Sequence, residues 1–175
     1  MITKAEAFAF LREHQPMPTD EEISEEEARK YEEVRKFFIE NPDRECVPLF
    51  LNSFGGKDGL GIYQMVEDVI MMYSKEIVLP YLLQAFNSSY ESIKYWCIQI
   101  SSNFPDERLL LPLVNFLQSD DDMETAVIIA LAQLALNHIK ENEILEILEK
   151  EIEKISDSDT KEFVVEVLRD IQNSI

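Results

Sequence analysis

IVLPYLLQAFNSSYESIKYWCIQISSNF, residues 77–104, reads as two short apolar helices separated by an Asn-Ser-Ser turn. The same unit recurs along the chain. Pro48, Pro80 and Pro112 lie 32 residues apart, each just inside an apolar run (VPLFL, LPYLL, LPLVNFL) that is followed by a turn and a second apolar run. A fixed period of this size marks stacked helical units, none of which can bury its apolar face without a neighbour.

The second helices carry the expected inner stripes at i, i+3, i+4, i+7 spacing. In the first unit, with helices over 45–54 and 60–74, the stripe is Ile62, Met65, Val66, Val69 and Tyr73. In the second it is Ile93, Trp96, Cys97, Ile100 and Phe104. In the third, which starts from Asp120-Asp121-Asp122, it is Thr125, Ile128, Ile129, Ala132 and Leu136. Val127, Leu131 and Leu134 make the remaining faces of that helix apolar, so it is expected to be covered on both sides. A fourth, looser pair sets Ile144, Leu145, Ile147, Leu148 and Ile152 against Phe163, Val164, Val167, Leu168 and Ile171 across a turn at 156–160. Its other faces are crowded with Glu, as a terminal unit without an outer neighbour requires.

Ahead of the repeats, residues 3–14 predict a helix with Thr3 as N-cap, Glu6 as capping-box partner and Ala5, Phe8 and Leu11 on one face. Gln15-Pro16-Met17-Pro18 stops it. A longer helix is expected from a Thr19 cap, with Glu22 in the box, to about Glu40, where Asn41-Pro42-Asp43 breaks it. Its first half is acidic and expected in water, with i,i+4 pairs Glu25/Arg29, Glu26/Lys30 and Glu32/Lys36. Its second half carries the stripe Tyr31, Val34, Phe37 and Phe38. Nothing alternates with period two between turn glycines, so a sheet is not expected. The fold class that follows is all-α, a single domain over 1–175 with an N-terminal helical pair at 1–43 and repeats over 44–174.

With its prolines Pro48, Pro80 and Pro112 and second helices such as ESIKYWCIQISS and METAVIIALAQLA, the chain resembles the HEAT and HEAT-like α-helical repeat family over about residues 44–174. The period is nearer 32 than the ~40–47 of HEAT and armadillo units. The resemblance implies an α-α superhelix, a short solenoid of about four helix pairs, whose second helices line a concave surface that holds other macromolecules.

Chemistry is sparse. His14 and His138 lie in no metal-binding pattern, and Asp120–Asp122 and Asp157-Ser158-Asp159 lack the glycine and glutamate of a calcium loop. Cys46 and Cys97 sit in apolar runs as small hydrophobes. No metal, cofactor or enzymatic activity is expected. All four glycines fall in GGKDGLG, residues 55–61, which follows a helix rather than the strand that precedes a phosphate cradle. An interhelical loop is the plain reading, and a loop that moves to clasp a partner is the sharper one.

Charge says more. Sixteen basic residues face 35 acidic ones, for a formal net charge of −19, the reverse of what binding to nucleic acid or an anionic membrane requires. No run reaches the length of a membrane span, and the expected compartment is the cytoplasm. Residues 106–175 carry 6 basic and 17 acidic side chains, whereas 44–105 carry 4 and 6 and hold ten of the 17 aromatics. Tyr63, Tyr90 and Tyr95 lie off the predicted inner stripes. The expected partner-binding lining is therefore Tyr63, Gln64, Glu67, Asp68, Met71, Tyr95, Gln99 and Ser102, near-neutral ground between acidic flanks. The expected function is non-enzymatic capture of a basic protein. Immunity against a toxin is one form of it, a general assembly or regulatory scaffold is the alternative, and an enzyme of the HEAT-like DNA-repair type is a more distant one.

Overall fold

The computed structural model describes residues 2–117, 123–155 and 158–174. Among them are ten α-helices, one 3-10 turn and no strand, so the chain is all-α. The expected turn at Asp120–Asp122, and Ser156 and Asp157 of the later turn, lie outside the described residues. The chain divides into two compact units, residues 1–97 and 98–175.

The first unit begins with α1, Lys4–Glu13. Thr3 and Glu6 close its N-terminus reciprocally, the Glu6 amide donating to Thr3 Oγ1 and the Thr3 amide to the Glu6 carboxylate. Its buried face is Ala7, Phe8 and Leu11, and Ala5 is exposed. Helix α2 runs Glu25–Glu40 and starts later than expected. Thr19 and Glu22 do pair, but over a single turn; the helix is capped by a second box, Ser24 with Glu27. The intervening Asp20 is drawn away to the glycine loop, where its Oδ1 accepts from the Gly59 amide at 2.9 Å. Ala28, Tyr31, Val34 and Phe38 are buried, and so is Arg35.

Helices α3 (Cys46–Leu51) and α4 (Tyr63–Ile70) are shorter than the periodicity predicts. Ser53 Oγ and Asn52 Nδ2 donate to the Phe50 and Pro48 carbonyls and end α3. Lys57, Gly59, Leu60 and Gly61 all have positive φ, which no right-handed helix accepts, so α4 cannot start before residue 62. Helix α5 (Lys75–Ala85) packs on α3, and α6 spans Glu91–Ser101, with the boundary between the units falling at its Cys97–Ile98 bond. Pro48 lies in the first turn of its helix, where a missing amide costs nothing, whereas Pro80 is the sixth residue of α5 and is tolerated on an exposed side.

Edge-on aromatic contacts join these helices. Phe8 meets Phe38 at 4.9 Å, Phe38 meets Phe50 at 5.8 Å, Phe50 meets Tyr31 at 6.0 Å and Tyr31 meets Tyr63 at 5.9 Å. Each such pair contributes about 0.5–1.5 kcal/mol beyond its buried area. Tyr31 has a polar end to satisfy, and its hydroxyl donates to Ser53 Oγ at 2.6 Å, which in turn donates to the Phe50 carbonyl.

The second unit is built around α8, Glu124–Leu136, which packs against α7 (Leu110–Leu117), α9 (Glu141–Glu151) and α10 (Ser158–Ser174). Ala126, Ala130, Ala132 and Ala135 are all buried on α8, and their small side chains let three neighbours approach one helix. The expected wrapping is present, but its face is not the predicted one. Val127, Ile128, Leu131 and Leu134 are buried, whereas Thr125 and Ile129 are exposed and Leu136 is half-buried. On α9 and α10 the buried positions are Ile144, Leu148, Glu151, Val164, Leu168 and Ile171; Glu151 accepts from Lys154 Nζ at 2.8 Å, and most of the other Glu, Asp and Lys side chains are outward.

Candidate functional site

Tyr63 does not belong to an exposed lining. It is 1% exposed, its ring stands edge-on to Tyr31, Phe54 and Trp96, and its hydroxyl accepts from the Gly55 amide at 2.9 Å. Burial pushes its phenol up to about 12. The cause is the glycine loop folded over it: a Cβ on Gly59 would lie 2.5 Å from the Tyr63 ring. With Tyr63 turned inward, α4 is rotated relative to the predicted stripe. Ile62, Val66, Val69 and Ile70 are buried beside it, and Met65, expected inside, is 37% exposed.

The outward face of α4 is therefore Gln64, Met65 and Asp68, continued by Met71 and Met72 in the turn that follows. Glu67 is half-buried at its edge. Beneath it, Arg35 ties α2 to α4. Its Nε and Nη2 donate to the Glu32 carboxylate at 2.6 and 2.9 Å, and its Nη1 donates to the Met65 carbonyl at 3.4 Å and lies 3.9 Å from Asp68. These hydrogen bonds hold the Glu32 carboxyl below its usual range, with Lys36 adding to the effect.

On α6, Ile93, Trp96, Cys97, Ile100 and, just beyond, Phe104 are buried as predicted, and Tyr95 is exposed. Tyr95 belongs to the first unit. Gln99 and Ser102 belong to the second, both half-buried, with Ser102 Oγ donating to the Gln99 carbonyl at 2.7 Å. The outward register of α6 recurs on α8 with an offset of 34 residues. Tyr95 corresponds to Ile129, Gln99 to Gln133 and Ser102 to Leu136, each pair sharing its degree of exposure. Counting from the prolines, with an offset of 32, hides this correspondence and places Ile129 in the interior, whereas it is exposed.

The glycine loop is held rather than loose. Trp96 Nε1 donates to the Lys57 carbonyl at 2.9 Å, Lys57 pairs with Glu21, and the Met17 amide donates to the Ser53 carbonyl at 2.9 Å. The Gly59 and Leu60 amides, which resemble a phosphate cradle, face the carboxylate of Asp20, so the anion they bind is part of the chain.

Between α1 and α2 lies an open groove of about 510 Å³ lined by Phe10, Glu26, Glu27, Arg29, Lys30 and Glu33 among others. His14 stacks on Phe10 at 4.1 Å and its Nε2 is 3.8 Å from Glu27; Lys30 pairs with Glu33 at 3.1 Å. Carboxylates and cations are interleaved there and leave no one-signed recognition feature. Among the described residues no three His, Cys, Asp or Glu side chains are grouped to hold a metal, and no helix is long and apolar enough to cross a membrane. Both thiols are buried: Cys46 is pushed up to about 12, and burial raises Cys97 as well.

Comparison of the chain with protein-family models, with curated proteins and with solved structures finds no match.

Proposed function

We propose that this chain is a protein-binding module, without enzymatic activity of its own, that captures a basic protein partner. The observation that carries this reading is the uncharged register that α6 and α8 share, with Tyr95 and Ile129 exposed and Gln99, Ser102, Gln133 and Leu136 half-buried, in a chain whose formal net charge is −19. An interface core favours aromatic and aliphatic groups and loses charge, while a charged surround steers the partner and selects its sign. The recurrence of that register supports a HEAT-like solenoid of helix pairs in which second helices form the receiving face. Neutralising a toxin by covering its cationic active site is the form that best fits so acidic a scaffold. A general assembly scaffold is the second reading.

Affinity capture with the full chain at low ionic strength, followed by mass spectrometry, tests it. One basic protein is expected, with its retention weakened by Tyr95→Ala and Ile129→Ala while the thermal midpoint stays within experimental error. No specific protein, or an acidic one, would end this reading. A toxin-like reading frame beside the gene favours immunity, and a metabolic neighbourhood favours the scaffold.

A further inference from the structure

Three of the chain's six methionines, Met65, Met71 and Met72, are between 37% and 48% exposed on one side of α4 and the turn after it, whereas Met17 and Met123 are buried at 2% and 3%. Positions 65, 68 and 72, like 64, 68 and 71, follow the i, i+3 or i+4, i+7 spacing of one helical face. Thioether side chains are unbranched and polarisable, and a face made of them moulds itself to apolar helices of differing shape.

The segment that carries this face is acidic, and Arg35, which lies beneath it, is paired with Glu32. Residues 58–74 contain Asp58, Glu67 and Asp68 and no Lys, Arg or His. The Asp68 side chain is 71% exposed, and its contact with Arg35 is a long 3.9 Å to a guanidinium already engaged by Glu32. The support is rigid: Tyr63, Val66, Val69 and Ile70 are buried beneath the stripe, and the Met71 amide donates to the Glu67 carbonyl at 2.8 Å.

We propose that the Met65–Asp68–Met72 stripe of α4 docks a basic amphipathic helix supplied by the partner protein. The apolar side of that helix seats on the methionines while its Lys or Arg side chains reach Asp68. Charge complementarity selects this occupant. An acidic helix meets like charge, and a second copy of a chain with net charge −19 is repelled. The proposal rests on the protein-binding reading and names a site for it that is separate from Tyr95 and Ile129.

The test uses the full chain and a fluorescently labelled Lys/Leu amphipathic helical peptide, with anisotropy read at about 0.15 M ionic strength, where exposed charges more than a Debye length apart are largely screened. A Glu-for-Lys peptide and a scrambled Lys/Leu peptide of the same composition serve as comparators. Binding of the amphipathic basic peptide is expected, weakened about tenfold in the uncharged double variant Met65→Asn/Met72→Asn and severalfold in Asp68→Asn, with unchanged circular-dichroism melts. Equal binding of the scrambled peptide, or wild-type affinity in the double variant, overturns the proposal. A partner from the capture experiment that binds the double variant normally but loses affinity on Tyr95→Ala overturns this site and leaves the protein-binding reading intact.

Discussion

Trp96 donates its indole N–H to the main-chain carbonyl of Lys57 at 2.9 Å, while its ring stacks on Phe54 at 5.7 Å and meets Tyr63 edge-on at 5.9 Å. One side chain thus fastens the glycine loop to α6. Trp96→Ala is expected to destabilise the fold by about 3–5 kcal/mol. Trp96→Phe, which keeps most of the ring but loses the donor, should cost about 1–2 kcal/mol. Tyr95→Ala, one residue away on the exposed side, should stay within about 0.5 kcal/mol. Urea unfolding of the three variants measures the order, and a Tyr95 variant less stable than the Trp96 variants would mean the inner and outer faces of α6 were exchanged.

Two glycines of the loop differ in a way that can be measured. Gly61 has φ +84° and nothing near its missing Cβ, so Gly61→Ala should cost only the left-handed backbone penalty, about 1–2 kcal/mol. Gly59, at φ +60°, also has the Tyr63 ring 2.5 Å from where its Cβ would be. Gly59→Ala should add an overpacking cost of about 1–3 kcal/mol. Equal denaturation midpoints for the two variants would contradict the packing described for Tyr63.

Glu32 gives a pH signature. Its folded-state pKa is lowered, first by the Arg35 hydrogen bonds and then by Lys36, so its contribution is present above the unfolded carboxyl value of about 4.5 and is lost as pH falls through the lower folded value. Glu32→Gln is expected to be less stable than the native chain at neutral pH. The difference should shrink below about pH 4.5 and vanish once the native carboxylate is protonated. Unfolding curves of both proteins between neutral and strongly acidic pH check the sign; a gap that widens on acidification would exclude the Arg35 pairing as its cause.

The cysteines should be silent in the native state. Cys46 and Cys97 have no exposed surface, burial raises both thiols, and Cys97 Sγ also donates to the Leu51 carbonyl at 3.3 Å. A thiol reagent at pH 8 should label neither in the folded chain and both in denaturant. Rapid native labelling of either would show that its helix opens.

Much of the local structure was legible because it depends on neighbours in sequence. The Thr3/Glu6 box, the break at Asn41-Pro42-Asp43 and the α6 stripe of Ile93, Trp96, Cys97 and Ile100 each rest on residues within two helical turns, and the structure repeats them. The start of α2 falls later than expected because two box sequences occur five residues apart, and Asp20, inside the first of them, bonds to Gly59 across 39 residues. The proposed interaction surface was legible only in part. Gln64, Asp68, Met71 and Tyr95 are outward, but Tyr63 is not, and Met65, Met72 and Ile129 were absent from the expected lining.

From the sequence alone come the all-α class, the proline-marked apolar runs and a formal net charge of −19, since helical periodicity and net charge need no knowledge of distant contacts. Which side of α4 and α8 faces inward was decided by tertiary structure. Both helices carry apolar residues on opposing sides, so a period of 3.6 admits two burials. The choice fell to the glycine loop closing over Tyr63 and to the alanines that let α7, α9 and α10 surround α8.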